Sequence, residues 1–248
     1  MPTITSRDNP QVKSVCALSV SGKKRRETGL FVCEGFTLLD EALRSGLAPR
    51  QVFCLEGQEG RLPPLECPVT AVSGPVLQKL SDVPAPQGVV FTLPLPKAPE
   101  ALSGTRFLAL DELRDPGNLG TVLRTADAFG LDGVILLGDC ADPYSPKAVR
   151  SAMGSLFRVV LHHMDPQELG QAMKRLDLPL YAAALDTDSR PVTQTELHRA
   201  CVVVGNEAHG VSAAVKRLCR GSVIIPNQNA ESLNAGVAAG ILMWEMSR

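Results

Sequence analysis

The sequence predicts an α/β protein whose C-terminal part is built on a parallel sheet. Two observations carry this prediction. First, six short apolar runs (107–110, 133–137, 157–161, 180–184, 201–205 and 222–225) alternate with five helix-patterned stretches (119–129, 146–153, 166–176, 212–218 and 231–246). Strands that alternate with helices join in parallel and are covered on both faces, so they read as continuous apolar runs. Second, Pro94, Pro96 and Pro99 crowd one short segment. Proline cannot continue a helix or a central strand. Residues 96–104 therefore read as a linker between a domain at 1–95 and a larger one at 105–248.

In the first domain, Leu30, Phe31, Val32 and Cys33 form an apolar strand candidate, and Phe36, Leu39 and Leu43 share one face of a following helix. A strand at 51–55, a helix near 75–80 and a strand at 88–92 complete a small α/β module. In the second domain, Asn118 is the expected N-cap and Gly130 the expected C′ residue of the first helix. Ser212 is placed to cap a helix beginning at Ala213.

Composition narrows the function. The 248 residues are 44% hydrophobic and 21% charged, as in ordinary globular chains. A formal net charge of −1 argues against a wholly electrostatic nucleic-acid binder and leaves room for a local basic patch. Residues 1–29 supply one, with six basic side chains against two acidic. The seven cysteines include no C-x-x-C, and their odd number reads as free thiols in a reducing cytosol. No apolar signal core opens the chain, and the uncharged stretch 232–244 is shorter than the roughly 20 residues a membrane helix needs. A cytoplasmic protein is expected. P-loop, G-x-G-x-x-G and G-x-S-x-G patterns are absent, and no metal site is expected from four dispersed histidines. His162 and His163 read as the surface end of a strand. Two Tyr and one Trp are too few for a base-stacking sheet.

Three polar, glycine-bearing segments each follow a predicted strand, where open α/β sheets bind ligands. The first runs from Asp111 through Asp115, Pro116, Gly117, Asn118 and Gly120 to Arg124. The second is Gly205-Asn206-Glu207-Ala208-His209-Gly210-Val211-Ser212. The third is Ile225-Pro226-Asn227-Gln228-Asn229-Ala230-Glu231-Ser232-Leu233-Asn234. In order, spacing and identity they resemble the three motifs of the SpoU–TrmH family of RNA ribose 2′-O-methyltransferases, of the SPOUT class. Asn227-Gln228-Asn229 departs from the family's Met, variable residue and Gly. The N-terminus resembles the substrate-binding module of many members, through Ser6-Arg7, Asn9-Pro10, Val12-Lys13, the run Lys23-Lys24-Arg25-Arg26, and the segment from Gly29 to Gly35.

The resemblance implies a C-terminal α/β trefoil-knot domain preceded by a small L30e-like α/β RNA-binding domain, and a homodimer. The implied cofactor is S-adenosyl-L-methionine, held by Gly205, Asn206, Ile225, Pro226 and Leu233. The implied catalytic set is Arg124, Asn118, Glu207, Ser232 and Asn234. RNA contact is expected from Arg7, Lys13, Lys23, Lys24, Arg25, Arg26 and Arg114. The implied reaction is methylation of a ribose 2′-hydroxyl, in ribosomal RNA first. A tRNA ribose methyltransferase and a non-catalytic RNA-binding assembly factor are the alternatives. A neutral arginine near pH 7 would cost about 7 kcal/mol or more, so Arg124 suits a phosphate clamp better than a base.

Overall fold

The computed structural model describes residues 3–97, 99–228 and 232–248. In chain order the elements are β1 (Thr3–Ile4), α1 (Pro10–Val20), α2 (Gly22–Thr28), β2 (Leu30–Glu34), α3 (Phe36–Arg44), β3 (Gln51–Leu55), β4 (Val69–Val72), α4 (Gly74–Leu80) and β5 (Val89–Pro94). There follow β6 (Arg106–Asp111), α5 (Pro116–Ala128), β7 (Gly133–Leu137), α6 (Pro146–Ala152), β8 (Leu161–Met164), α7 (Pro166–Leu176) and β9 (Leu180–Ala183). The last are β10 (Arg190–Pro191), β11 (Ala200–Val204), α8 (Ala213–Lys216), β12 (Gly221–Ile224) and α9 (Ala235–Ser247). No described helix is long and apolar enough to cross a membrane.

The chain divides into two compact units. The first comprises Met1–Lys97 together with Asp142–Phe157; the second comprises Ala98–Ala141 and Arg158–Arg248. The first unit thus includes α6, which lies well beyond the proline-rich segment.

In the first unit a five-stranded sheet has the order β1-β4-β3-β5-β2, parallel from β1 to β3 and antiparallel beyond. Helix α1 starts at an Asn9 cap followed by Pro10, the favoured N1 residue. It buries Val12, Val15 and Leu18 against Val76, Leu77 and Leu80 of α4 and against Phe53, Val72 and Val90 of the sheet. Helix α2 carries the basic run and stops at Gly29, whose φ of 67° is the left-handed conformation that glycine adopts at least cost. The segment from Asp142 is anchored here. Its Tyr144 ring stacks tilted on Phe31 at 5.1 Å, and Arg150 pairs with Asp82 at 2.6 Å. Burial, reinforced by the Asp142 carboxylate, pushes the Tyr144 hydroxyl up to about 12.

In the second unit seven strands, all parallel, run β10-β12-β9-β11-β6-β7-β8. Successive side chains of a strand alternate between faces. Phe107, Ala109, Ile135, Leu137, Cys201 and Val203 pack with Leu169, Ala172 and Met173 of α7 and Val215 of α8. The alternate residues Leu108, Leu110, Val134, Leu136, Val202 and Val204 are also buried and turn toward α5 and α9. Both faces being covered explains the continuous apolar runs.

Two local expectations fail. Residues 155–157 form a single 3-10 turn, and the strand begins only at Leu161, in register with Val134. His162 is consequently not a surface residue. It is 5% exposed, paired in register opposite Ile135, and its burial holds its pKa below the ordinary histidine value. The cysteines among the described residues are free thiols. Burial raises the Cys33 and Cys201 thiols well above their ordinary value and pushes Cys219 to about 11, so these are packing groups rather than nucleophiles.

Candidate active site

The strand order sets the site. From β6 the chain moves outward to β7 and β8, whereas β11 enters on the other side of β6. The loops leaving β6 and β11 therefore diverge at a topological switch point, the favoured ligand crevice of open parallel sheets.

Several bonds fix these two loops to each other. The Asp111 carboxylate at the end of β6 is buried and accepts from the backbone N–H of Ser212 at 2.7 Å. Glu112 follows in a left-handed conformation, φ 55°, and its carbonyl accepts from the Asn206 side-chain amide at 2.9 Å. Asn206 and Gly210 then exchange two backbone hydrogen bonds, which close the loop on itself. This closure explains Gly205. A Cβ there would lie 2.1 Å from the Gly210 carbonyl carbon, closer than any side chain allows. Ser212 caps α8 as expected.

Helix α5 does not begin where the sequence suggested. Asp115 is its N-cap, accepting from the Asn118 N–H at 2.8 Å, with Pro116 at the start. Asn118 therefore lies inside the first turn, and its side chain is not used for capping. Its amide nitrogen donates to Glu207 Oε1 at 2.9 Å, and its oxygen accepts from Asn234 at 3.1 Å. Asn234 is itself the N-cap of α9, accepting from the N–H groups of Gly236 and Val237. One asparagine thus joins the three sequence segments. The seam between α5 and α9 stays close because Gly236 faces Asn118 and Thr121; a Cβ there would sit 3.4 Å from Asn118 Oδ1. Farther along, Phe129 and Trp244 stack at 5.7 Å.

Arg124 lies on the exposed side of α5, and among the described residues no hydrogen bond or ion pair holds its guanidinium. Ser232 and Pro226 are exposed, while Ile225 and Leu233 are half-buried. Asn229, Ala230 and Glu231 lie outside the described residues. The sequence reading missed Asp111 and Asp115 as functional supports. The Asp115-Pro116 pair was the available signal, since a capping residue followed by proline marks a helix start.

The basic residues separate into two groups. Arg7, Lys13, Lys23, Lys24, Arg26 and Arg114 are exposed. Lys13 pairs with Asp8, Lys23 and Lys24 share Glu27, and Arg114 lies 3.2 Å from Glu112. Arg25 is a correction to the expected RNA-contact set: its side chain is only 6% exposed. Its guanidinium donates to Asp142 through Nε at 3.0 Å and Nη2 at 2.7 Å, and to the Leu18 carbonyl. Those donors face protein and are not available to a phosphate.

A parallel sheet with three loops gathered on one asparagine at its switch point defines a ligand-binding α/β domain with a pre-formed polar site. Residues 105–244 match the SpoU rRNA Methylase family, and residues 9–90 match the MRM3-like substrate binding domain. The chain is 35% identical, over 99% of its own length and 93% of the other, to an uncharacterized tRNA/rRNA methyltransferase of Synechocystis sp.. It is 32% identical, over 99% of both, to the 23S rRNA (guanosine(2553)-2′-O)-methyltransferase RlmP of Bacillus subtilis. The AdoMet-bound rRNA methyltransferase of Sinorhizobium meliloti superposes with a TM-score of 0.88 at 30% identity, covering 99% of this chain and 97% of that one. The chain belongs to the SpoU rRNA methylase family.

Proposed function

We propose that this protein transfers a methyl group from S-adenosyl-L-methionine to the 2′-hydroxyl of a ribose in ribosomal RNA. The observation that carries this reading is the Asn118 junction, which brings Glu207 and Asn234 to one point beside the first turn of α5. The residues suit the cofactor. Ile225 and Leu233 offer half-buried apolar surface beside main-chain polar groups, as a flat purine requires. Gly205, Asn206 and Pro226 complete the proposed pocket. Bound S-adenosylmethionine supplies an electrophilic sulfonium methyl. Gly205, Asn206, Ile225, Pro226 and Leu233 would hold that methyl toward the ribose 2′-hydroxyl, whose proton would pass to solvent on transfer.

Arg124 binds the RNA phosphate beside the target and fixes the ribose in line with the methyl carbon. Its planar fork grips two phosphate oxygens at once. Orientation of this kind accounts for about 7–11 kcal/mol of barrier in favourable cases. Asn118, Glu207, Ser232 and Asn234 hold the loops and the ribose in register. The test is ribose-methylation mapping in total RNA from cells with and without the gene, beside a reconstituted assay with radiolabelled cofactor. One ribosomal ribose that loses its methyl group is the expected result. RNA binding without any transfer would support the assembly-factor reading.

The first unit holds the RNA, in this proposal, through the outward face of α2. Replacing Lys23, Lys24 and Arg26 with Ala is expected to weaken RNA binding and reduce its salt slope by about 2, at about 0.7 per phosphate contact on single strands. Calorimetry is expected to show unchanged cofactor affinity. The second unit carries the trefoil knot and the dimer interface in a cytoplasmic homodimer. Exposed Val237 and Trp244, 53% and 51% accessible on the same side of α9, support the interface. Sedimentation at micromolar concentration is expected to give a dimer, and Trp244→Arg to shift it toward monomer.

A further inference from the structure

In an all-parallel sheet the amino ends of the strands share one edge, opposite the loops described above. At that edge of the second unit, between α7, the turn after α8 and the start of β9, lies a cavity of about 730 Å³. Its wall includes the buried Met173, Leu178 and Leu180, and its rim carries the exposed Lys174, Arg217 and Arg220. Among the described residues no carboxylate lines it and none of these three cations is in an ion pair. The adjacent Lys216 shows the contrast: it pairs with Asp186 at 2.8 Å, outside the cavity. Leu218 stays 41% exposed beside the rim, and Gly170 makes room for it, since a Cβ at Gly170 would lie 3.3 Å from a Leu218 methyl. A glycine inside an 11-residue helix costs about 1 kcal/mol relative to alanine, so the clearance is retained against helix stability.

The geometry points to this groove as a second RNA-contact surface, taking a single-stranded stretch of the RNA outside the methylated nucleotide. Three cations, one on α7 and two in the turn after α8, suit successive phosphates. The two guanidiniums fork onto phosphate oxygens, and the apolar wall suits the face of a base or ribose. The inference rests on the RNA substrate proposed above.

The test compares wild type with a Lys174→Ala, Arg217→Ala, Arg220→Ala variant. A second variant, Arg44→Ala, Arg61→Ala, Arg248→Ala, loses equal charge elsewhere. Binding of a labelled oligouridylate is followed from about 50 to about 200 mM KCl. The groove variant is expected to lose about 2 from the salt slope and about tenfold or more in affinity, and the control to lose neither. Methylation of protein-free ribosomal RNA is expected to show a raised KM and an unchanged kcat, with cofactor affinity intact. An unchanged slope overturns the proposal, and so does an equal loss in the control. Loss of polyglutamate binding with RNA binding intact also overturns it, in favour of an acidic protein partner. Binding is read without turnover, so absence of methyl transfer on any RNA would refute the enzyme and leave the groove still tested.

Discussion

Arg124→Ala is expected to lower kcat by about 10²–10⁴, the scale of losing a positioned catalytic group. Cofactor affinity is expected to stay within about twofold, because the proposed pocket draws on the loops after β11 and β12 rather than on α5. The residue sits on the exposed side of α5, about two turns past the Asp115 cap. With no partner among the described residues, its removal leaves no buried group unpaired, and the melting temperature is expected to hold. Arg124→Lys is expected not to restore turnover, since lysine keeps the charge and loses the planar fork. Single-turnover methylation beside cofactor calorimetry measures both quantities. Turnover that survives Arg124→Ala refutes the role.

Arg25→Met is expected to do the reverse, costing stability and sparing chemistry. The substitution leaves Asp142 without its cation and the carbonyls of Leu18 and Ser19 without donors. Breaking a buried pair from one side costs about 3–5 kcal/mol. Asp142 retains 29% side-chain exposure, so water relieves part of this and the lower end, about 3 kcal/mol, is expected. For a chain of this size that lowers Tm by about 6–12 °C. Calorimetry reads the shift. Pairing Arg25→Met with Asp142→Leu is expected to restore much of it, because apolar replacement of both partners removes the stranded charge. The salt slope of RNA binding below the melting temperature is expected to match wild type. A lower slope would return Arg25 to the phosphate-contact set.

These two arginines show what the sequence could convey. The parallel sheet was legible because doubly covered strands such as 133–137 and 201–204 are uniformly apolar, and that pattern depends on no particular partner. Helix α7 was legible for a related reason: the Asp165 cap, Pro166 and Glu168 form a local capping box. Helix α1 was missed although Asn9 and Pro10 announce it. Its buried face is only Val12, Val15 and Leu18, interrupted by small and polar residues. The strand after α6 was displaced because Phe157 resembled a strand start, whereas pairing with β7 selects Leu161. Within the site, Asn118, Glu207 and Asn234 were legible as motif residues. Their mutual bonding was not, since the residues it joins are 89 and 116 positions apart. Arg25 could not be told from its three basic neighbours. Its partner Asp142 is 117 residues distant, and only the fold brings the two together.

The anchoring of Asp142–Phe157 in the first unit also sets a timetable for synthesis. When Lys97 has been added, the first unit still lacks the segment that supplies Asp142, Tyr144 and Arg150. About 60 further residues must be polymerised before Phe157 is in place. At about 5–20 residues per second that interval lasts about 3–12 s. Throughout it the side of β2 that α6 later covers is open, with Phe31 lacking the ring it packs against and Arg25 lacking its carboxylate. Uncovered apolar side chains are the feature that invites association with other nascent chains. The growing polypeptide therefore passes through a defined vulnerable window, which closes only when the segment Asp142–Phe157 has emerged from the ribosome.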